Sequence, residues 1–422
     1  MSHLLVVNSN PTGLKTINKF LNSGHAVSYL ECEDFREYSH NEESDEIKRR
    51  LSNFILVTDM DNTERLLEAV DTLNEKKRVD GVICVSEFSM EYAALIASHL
   101  KLPFPSVRSV ADARDKQRTR EILDKAGIRN VRYRYISGYT GLKEAAQYIG
   151  YPVVVKPQSS VHSTGTIIVQ THNELEDLWK EAQSAISKTS TKRKEQFQRG
   201  YLVEAYLRGT MVSAEVVNDG AESSVFMISG RIRSLKNELT EYRIDMPAEL
   251  TTEQKKACES YALSVTDALQ LKNGIFHIEL IIDEEGPVLV EVNPRIMGSY
   301  MPMLYERLTG NDYSNWLASL HTGSGFKKPR FRDLTGELVA SAVRFDAVNE
   351  AEFIPADFRA IVTRYFNPHY AELSESAAPV RLSSGETIGR IQVTEPSHAS
   401  LQNKLERFFS EVYEKTGIVL LR

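Results

Sequence analysis

The stretch GIFHIELIIDEEGPVLVEVNPR, residues 274–295, decides the fold, because it reads as one β-hairpin whose two faces differ in chemistry. Two apolar runs flank Asp283, Glu284, Glu285 and Gly286, and the glycine suits the left-handed last position of a three-residue loop at 284–286. That register pairs Asp283 with Pro287 and, further along, Glu279 with Glu291 and His277 with Asn293. Side chains alternate between faces along a strand, so these last four share one face. Ile278, Leu280, Ile282, Val288, Val290 and Val292 share the other, which must be core. On the polar face, directly opposed residues have Cβ atoms roughly 5 Å apart, where like charges repel. Two carboxylates placed there need a cation between them or a raised pKa. The all-oxygen set Glu279, Glu291 and Asn293 suits a hard ion, and Mg²⁺ commonly bridges such groups to substrate phosphates. The plainer alternative is a solvated face on which two glutamates align. Arg295 stands at the mouth of this face, either as a fork for an anionic oxygen or as a surface ion pair. His277 either contacts substrate or orients a ligand, or is satisfied by a backbone carbonyl.

Toward the N-terminus, strands at 4–7, 26–30, 54–57 and 81–85 alternate with helices at 14–22, 62–75 and 90–100. Such alternation predicts a parallel sheet in an α/β layer. Pro103 and Pro105 then break the pattern. A charged helix runs from Asp112 to Lys125 and stops at Gly127. A helix at 142–149, a strand at 153–156, a Ser/Thr-rich loop and a strand at 166–170 follow. Residues 187–200 are polar and basic and read as a solvated loop. Two strand-like segments after Tyr201 lead through a polar loop at 231–245. Thr251 and Gln254 form a capping-box pattern that opens a helix before the hairpin. Beyond 336 the tail mixes strands with an amphipathic helix at 401–415.

A chain of 422 residues is too long for one ordinary core, so two to three domains are expected. The formal net charge of −7 argues against a wide nucleic-acid-binding surface and leaves room for a local basic pocket. Cys32, Cys84 and Cys258 are far apart and in no metal-ligand spacing, which points away from disulfides and toward a reducing cytoplasm. No secretory signal opens the sequence and no apolar run approaches the ~20 residues that cross a bilayer, so a soluble cytoplasmic protein without a membrane partner is expected.

The hairpin, with Glu279 and the string Glu291-Val292-Asn293-Pro294-Arg295, resembles the magnesium-binding signature of ATP-grasp enzymes. Three further motifs agree in order. Asp115-Lys116 resembles the opening of the helix that carries the first phosphate-side lysine. Tyr151-Pro152-Val153-Val154-Val155-Lys156-Pro157 resembles the strand that carries the second. Leu202-Val203-Glu204-Ala205-Tyr206-Leu207-Arg208-Gly209 resembles the hinge that receives adenine. The resemblance implies an α/β ATP-grasp fold with a Rossmann-like domain at 1–110, a lid subdomain at 111–200 and a C-terminal α+β domain at 201–422. It implies ATP with Mg²⁺ or Mn²⁺ as cofactors. Lys116, Lys156, Ser163 and Gly165 would then lie near the phosphates, and Glu204, Ala205 and Leu207 at the adenine. Glu279, Glu291 and Asn293 would hold the metal, and His277, Gly298 and Ser299 would meet substrate. Arg295 would stabilise charge on acyl-phosphate and tetrahedral oxygens.

Within the superfamily the chain looks most like the L-amino acid ligases that make dipeptides. The features are Asn273-Gly274-Ile275-Phe276-His277-Ile278-Glu279, Asn293-Pro294-Arg295 with Gly298 behind, and a loop ending Met246-Pro247-Ala248. L-amino acids and ATP would be the small-molecule partners, in a homodimer by analogy. Two departures stand out. The loop at 158–166 has one glycine, Gly165, with His162 in its middle. Met211 occupies the position where the family carries a ribose-binding glutamate; Glu215, on the same strand face, is a candidate substitute. No G-x-x-x-x-G-K-[ST] string is present, which disfavours a Walker-type ATPase. Competing readings are a ligase or carboxylase with another acyl donor, such as bicarbonate, and a nucleotide-binding protein without turnover.

Overall fold

The computed structural model describes residues 1–9, 11–33, 42–158, 164–189, 197, 199–234, 238–324 and 338–422. The first sheet has four parallel strands in the order Asn53–Val57, Ala26–Cys32, His3–Val7, Gly81–Ile83. His3–Val7 is buried along its whole length. Leu4 and Val6 enter one core and Leu5 and Val7 another, as a strand covered on both faces requires.

The single helix expected over 112–125 is two helices, Val107–Arg114 and Lys116–Lys125. Asp115 between them leaves helical geometry, at φ −93° and ψ 104°, and its side chain accepts from the Arg118 backbone N–H. An aspartate is a favoured N-cap, so it ends one helix and opens the next. Lys116 thereby becomes the first residue of the second helix.

A small antiparallel sheet follows, ordered Tyr133–Ile136, Tyr201–Ala205, Val153–Pro157, Ile167–Val169. Helices Tyr139–Ile149 and Leu175–Ser187 close its core. The third sheet has eight antiparallel strands. Their order is Gly286–Asn293, Gly274–Asp283, Thr210–Asn218, Ser223–Arg233, Glu241–Met246, Val339–Asp346, Thr387–Glu395, Tyr370–Leu373. The helix Thr252–Ala268, opened by the Thr251/Gln254 capping box, covers one face through Cys258, Ala262 and Val265. Part of the other face, at Val217, Met227 and Ile275, joins the core beneath the first sheet and helices Met301–Thr309 and Tyr313–Thr322.

Two expectations about this sheet need correction. Within the polar loop expected at 231–245, residues 231–233 and 241–245 belong to a strand pair, with Arg231 opposite Ile244 and Arg233 opposite Glu241. Its charges sit on strands because they alternate with Ile232, Tyr242 and Ile244 and find partners across the sheet. In the 274–293 hairpin, Asp283 pairs with Gly286 and Leu280 with Leu289, one residue off the expected register. A bulge then absorbs Val290, and Glu279 meets Glu291 and His277 meets Asn293. Gly286 has the positive φ expected of it, +118°, but lies in the returning strand. Leu289 therefore takes the core position expected of Val290, packing with Ile278, Leu280, Ile282 and Val292.

Candidate active site

The polar face of the hairpin continues across the large sheet. Glu291, Glu279, Ser213 and Ser229 form one row of opposed residues, and Asn293, His277, Glu215 and Met227 the next. Each carboxylate of the first row already faces a cation. Lys116 Nζ lies 2.7 Å from Glu291 Oε1, and Arg231 Nη2 lies 3.4 Å from Glu279 Oε1. Arg231 also pairs with Glu241. His277 is buried, with Nδ1 2.7 Å from Glu215 Oε1 and Nε2 3.2 Å from Glu279 Oε1. Burial opposes a charged imidazole, yet Glu215 by charge and hydrogen bond, with Glu279, raises the His277 pKa to about 9. Both ring nitrogens lie within hydrogen-bond distance of carboxylates, and Arg231 Nη1 also lies 3.1 Å from Nε2, so these side chains rather than a backbone carbonyl satisfy this histidine. Burial likewise opposes the charged form of Glu279, but Arg231 and His277 outweigh it and hold that carboxyl at about 2.

The donors fit a hard cation: two opposed carboxylates and the Asn293 carboxamide, all oxygen. Among the described residues no three His, Cys, Asp or Glu side chains gather as a full ligand set. An ion held here would complete its shell with phosphate and water oxygens. Ser213 Oγ, Ser229 Oγ and Glu215 Oε2 are buried without a hydrogen-bond partner, so the face retains polar capacity beyond its internal contacts.

Behind this row lies a buried ionic cluster. Lys156 ends a strand of the small sheet and places Nζ 2.8 Å from Glu204 Oε2 and 3.1 Å from the Val290 carbonyl. Arg120, 2% exposed, donates from Nε to Glu204 Oε1 at 2.9 Å and from Nη2 to Oε2 at 3.2 Å. It also donates to the carbonyls of Leu289 and Val290. The bulge thus aims a backbone oxygen at two cations. Burial would raise the Glu204 carboxyl, but Arg120 and Lys156 hold it at about 2. Burial lowers the Lys156 pKa against the opposing pull of Glu204. A lysine so poised can hand its charge to an arriving phosphate.

Arg295 is gripped from the short helix Glu87–Ser89, which follows the last strand of the first sheet. Glu87 receives its Nε at 2.8 Å and its Nη2 at 2.7 Å. Nη1 donates to the Ile296 carbonyl, and a Cβ placed on Gly298 would lie 3.2 Å from that nitrogen. Gly298 and the left-handed Ser299, at φ +52°, therefore border the guanidinium. Gly165 has φ +75°, and a Cβ there would meet Ile186 at 2.7 Å, so its backbone is needed for packing whatever else it contacts. Ser163 lies outside the described residues, as does His162. Ala205 and Leu207 are half-buried at the end of the small sheet, where the Ala205 N–H bonds the Arg132 carbonyl. Beyond them opens a cleft of about 790 Å³ lined by Tyr206, Gly209, Met211, Arg231, Arg233 and Glu238 among others. Glu215 is engaged with His277.

Sequence reasoning missed Arg120, Glu87 and Arg114, whose Nη1 holds Glu91 at 2.5 Å beside Glu87. Their partners are distant in sequence, and no local pattern marks them.

Residues 149–302 match the family described as the ATP-grasp domain, and residues 34–104 the ATP-grasp N-terminal domain. The carbamoyl phosphate synthase large chain of Clostridium acetobutylicum is 24% identical over 290 residues, covering 64% of this chain and 25% of that protein. The alanine–anticapsin ligase of Bacillus subtilis is 22% identical over 267 residues, 60% of this chain and 56% of the relative. The chain thus spans from a quarter to just over half the length of these curated relatives. A crystal structure of L-amino acid ligase from Bacillus licheniformis superposes with a TM-score of 0.77 at 19% identity, over 100% of this chain and 99% of that one. Identity that low speaks for a shared fold. Among the described residues no helix is long and apolar enough to cross a membrane.

Proposed function

From the premise that the chain belongs to the ATP-grasp superfamily, we propose that it is an ATP-dependent ligase joining the carboxylate of one L-amino acid to the amine of another. The observation that carries this reading is the meeting of Glu279 and Glu291 across adjacent strands, with Lys116 and Arg231 against them and Lys156 behind. Such a row of paired carboxylates with lysines beside them suits a triphosphate and a divalent ion.

In the first step a carboxylate oxygen of the donor bonds to the γ-phosphorus and ADP leaves. In the second the amine nitrogen attacks the acyl carbon, phosphate leaves with the bonding pair, and the amine gives up a proton. Phosphorylation removes the negative charge that repels a nucleophile and supplies a leaving group. Positioning and charge neutralisation make up most of the catalysis. Mg²⁺ or Mn²⁺ on Glu279, Glu291 and Asn293 would supply Lewis-acid neutralisation of the phosphates. Lys116 and Lys156 neutralise phosphate oxygens as point charges. Arg295, fixed by Glu87, is the catalytic residue for charge developing on the acyl-phosphate and tetrahedral oxygens. Gly298 and Ser299 border the donor carboxylate, and His277 orients Glu279.

Incubation with ATP, Mg²⁺ and pairs of amino acids tests this reading, with phosphate release and product mass as readouts. Release that needs two amino acids, with a dipeptide mass, supports it. Release that needs bicarbonate or another acid moves the chain to a different acyl donor. Met211 favours a second reading, nucleotide binding without turnover; ATP binding with no phosphate release across the panel would establish it.

A further inference from the structure

An adenosine brought to residues 204–207 carries a ribose diol, and two hydroxyl donors entering a cleft need an acceptor. The strand that follows the hinge offers Met211, whose thioether accepts only weakly. Another carboxylate reaches the same cleft from a different strand connection. The Tyr206 hydroxyl, two residues past Glu204, donates to Glu238 Oε2. Arg233 Nη2 lies 3.9 Å from that same oxygen. Both contacts fall on Oε2, and the Glu238 side chain is 42% exposed. Burial first, and the Glu238 charge with it, push the Tyr206 phenol up to about 12, so it stays protonated and keeps donating. The cleft's other acidic residues are placed differently. Asp245 accepts from Ser341 at 2.7 Å and pairs with Arg243 at 3.1 Å. Glu249 leads into the helix Thr252–Ala268, which packs on the opposite face of the large sheet.

We propose that Glu238, held by Tyr206 at the junction of the small and large sheets, is the acceptor for the ribose hydroxyls of the bound nucleotide. The assignment rests on the nucleotide-binding function proposed above and adds the sugar contact that Met211 does not provide. Tyr206 is a positioning residue: it fixes one carboxylate oxygen and leaves the other to accept. The tyrosine ties the end of the small sheet to Glu238, so the sugar would be gripped where the two sheets meet.

Isothermal titration of the full chain with Mg²⁺ and either ATP or 2′,3′-dideoxy-ATP tests it. The wild type should prefer ATP by about tenfold or more, as charged hydrogen bonds contribute. Glu238→Ala should lose that preference by weakening ATP alone, leaving the dideoxy nucleotide unchanged. Glu238→Gln, which keeps an acceptor, should restore part of it, and Tyr206→Phe should fall between wild type and Glu238→Ala. Circular dichroism checks that each variant is folded. Equal weakening of both nucleotides, or unchanged ATP affinity in Glu238→Ala, overturns the assignment while leaving nucleotide binding intact. A wild-type chain that binds neither nucleotide overturns both.

Discussion

Replacing Glu204 by glutamine removes the one negative charge from a buried cluster that holds Arg120 and Lys156. Its carboxyl sits at about 2 rather than the ordinary 4.5. At about 1.4 kcal/mol for each tenfold change in proton affinity, the charged form is favoured by roughly 3–4 kcal/mol in the folded chain. That agrees with the roughly 3–5 kcal/mol lost when one partner of a buried ion pair is removed. Because the folded pKa is depressed, the contribution is complete above about pH 4.5 and fades as the pH falls toward 2. Urea unfolding followed by circular dichroism should therefore separate wild type from Glu204→Gln by roughly 3–4 kcal/mol at pH 7. The gap should narrow as the pH drops below about 4.5. A gap under about 0.5 kcal/mol at pH 7, typical of an exposed ion pair, would refute the claim that this cluster is buried and cooperative.

Glu87→Gln loosens the two-point hold on Arg295 and should lower kcat about ten- to hundredfold with the KM for ATP little changed; a KM effect with intact kcat would argue that Glu87 acts elsewhere. Gly165→Ala forces a Cβ against Ile186 at positive φ and should cost about 1 kcal/mol or more, read as a lower melting temperature; an unchanged melt would contradict the packing. Deleting Val290 should give an unbroken ladder that still sets Glu279 opposite Glu291 but withdraws the carbonyl shared by Lys156 and Arg120. The expected cost is about 1.5–3 kcal/mol in urea unfolding, and unaltered stability would mean that carbonyl contributes nothing.

The layer order of the fold was legible because strand and helix periods are local properties. The first sheet's strands follow the apolar runs, and the Thr251/Gln254 box marks its helix start. The polar face of the hairpin was legible for the same reason, since alternation alone puts His277, Glu279, Glu291 and Asn293 together. The register reading reached those pairs by compensation: a tip shifted by one residue and a bulge at Val290 cancel. Val290 resembles its neighbours chemically, so nothing nearby announces the bulge. At 231–245 alternation was present, but the density of charge concealed it. Arg120 could not be read locally, because its burial depends on Glu204, 84 residues away, and on two hairpin carbonyls. Glu87 and Arg295 are 208 residues apart, so no local pattern pairs them.

The most direct test of the paired-glutamate site is ADP formation by wild type and Glu291→Ala in the presence of Mg²⁺ and productive substrates, with folding checked in parallel. Turnover should fall on the order of a hundredfold or more in a chain that stays soluble and folded. ADP release undiminished by the loss of that carboxylate would contradict the site.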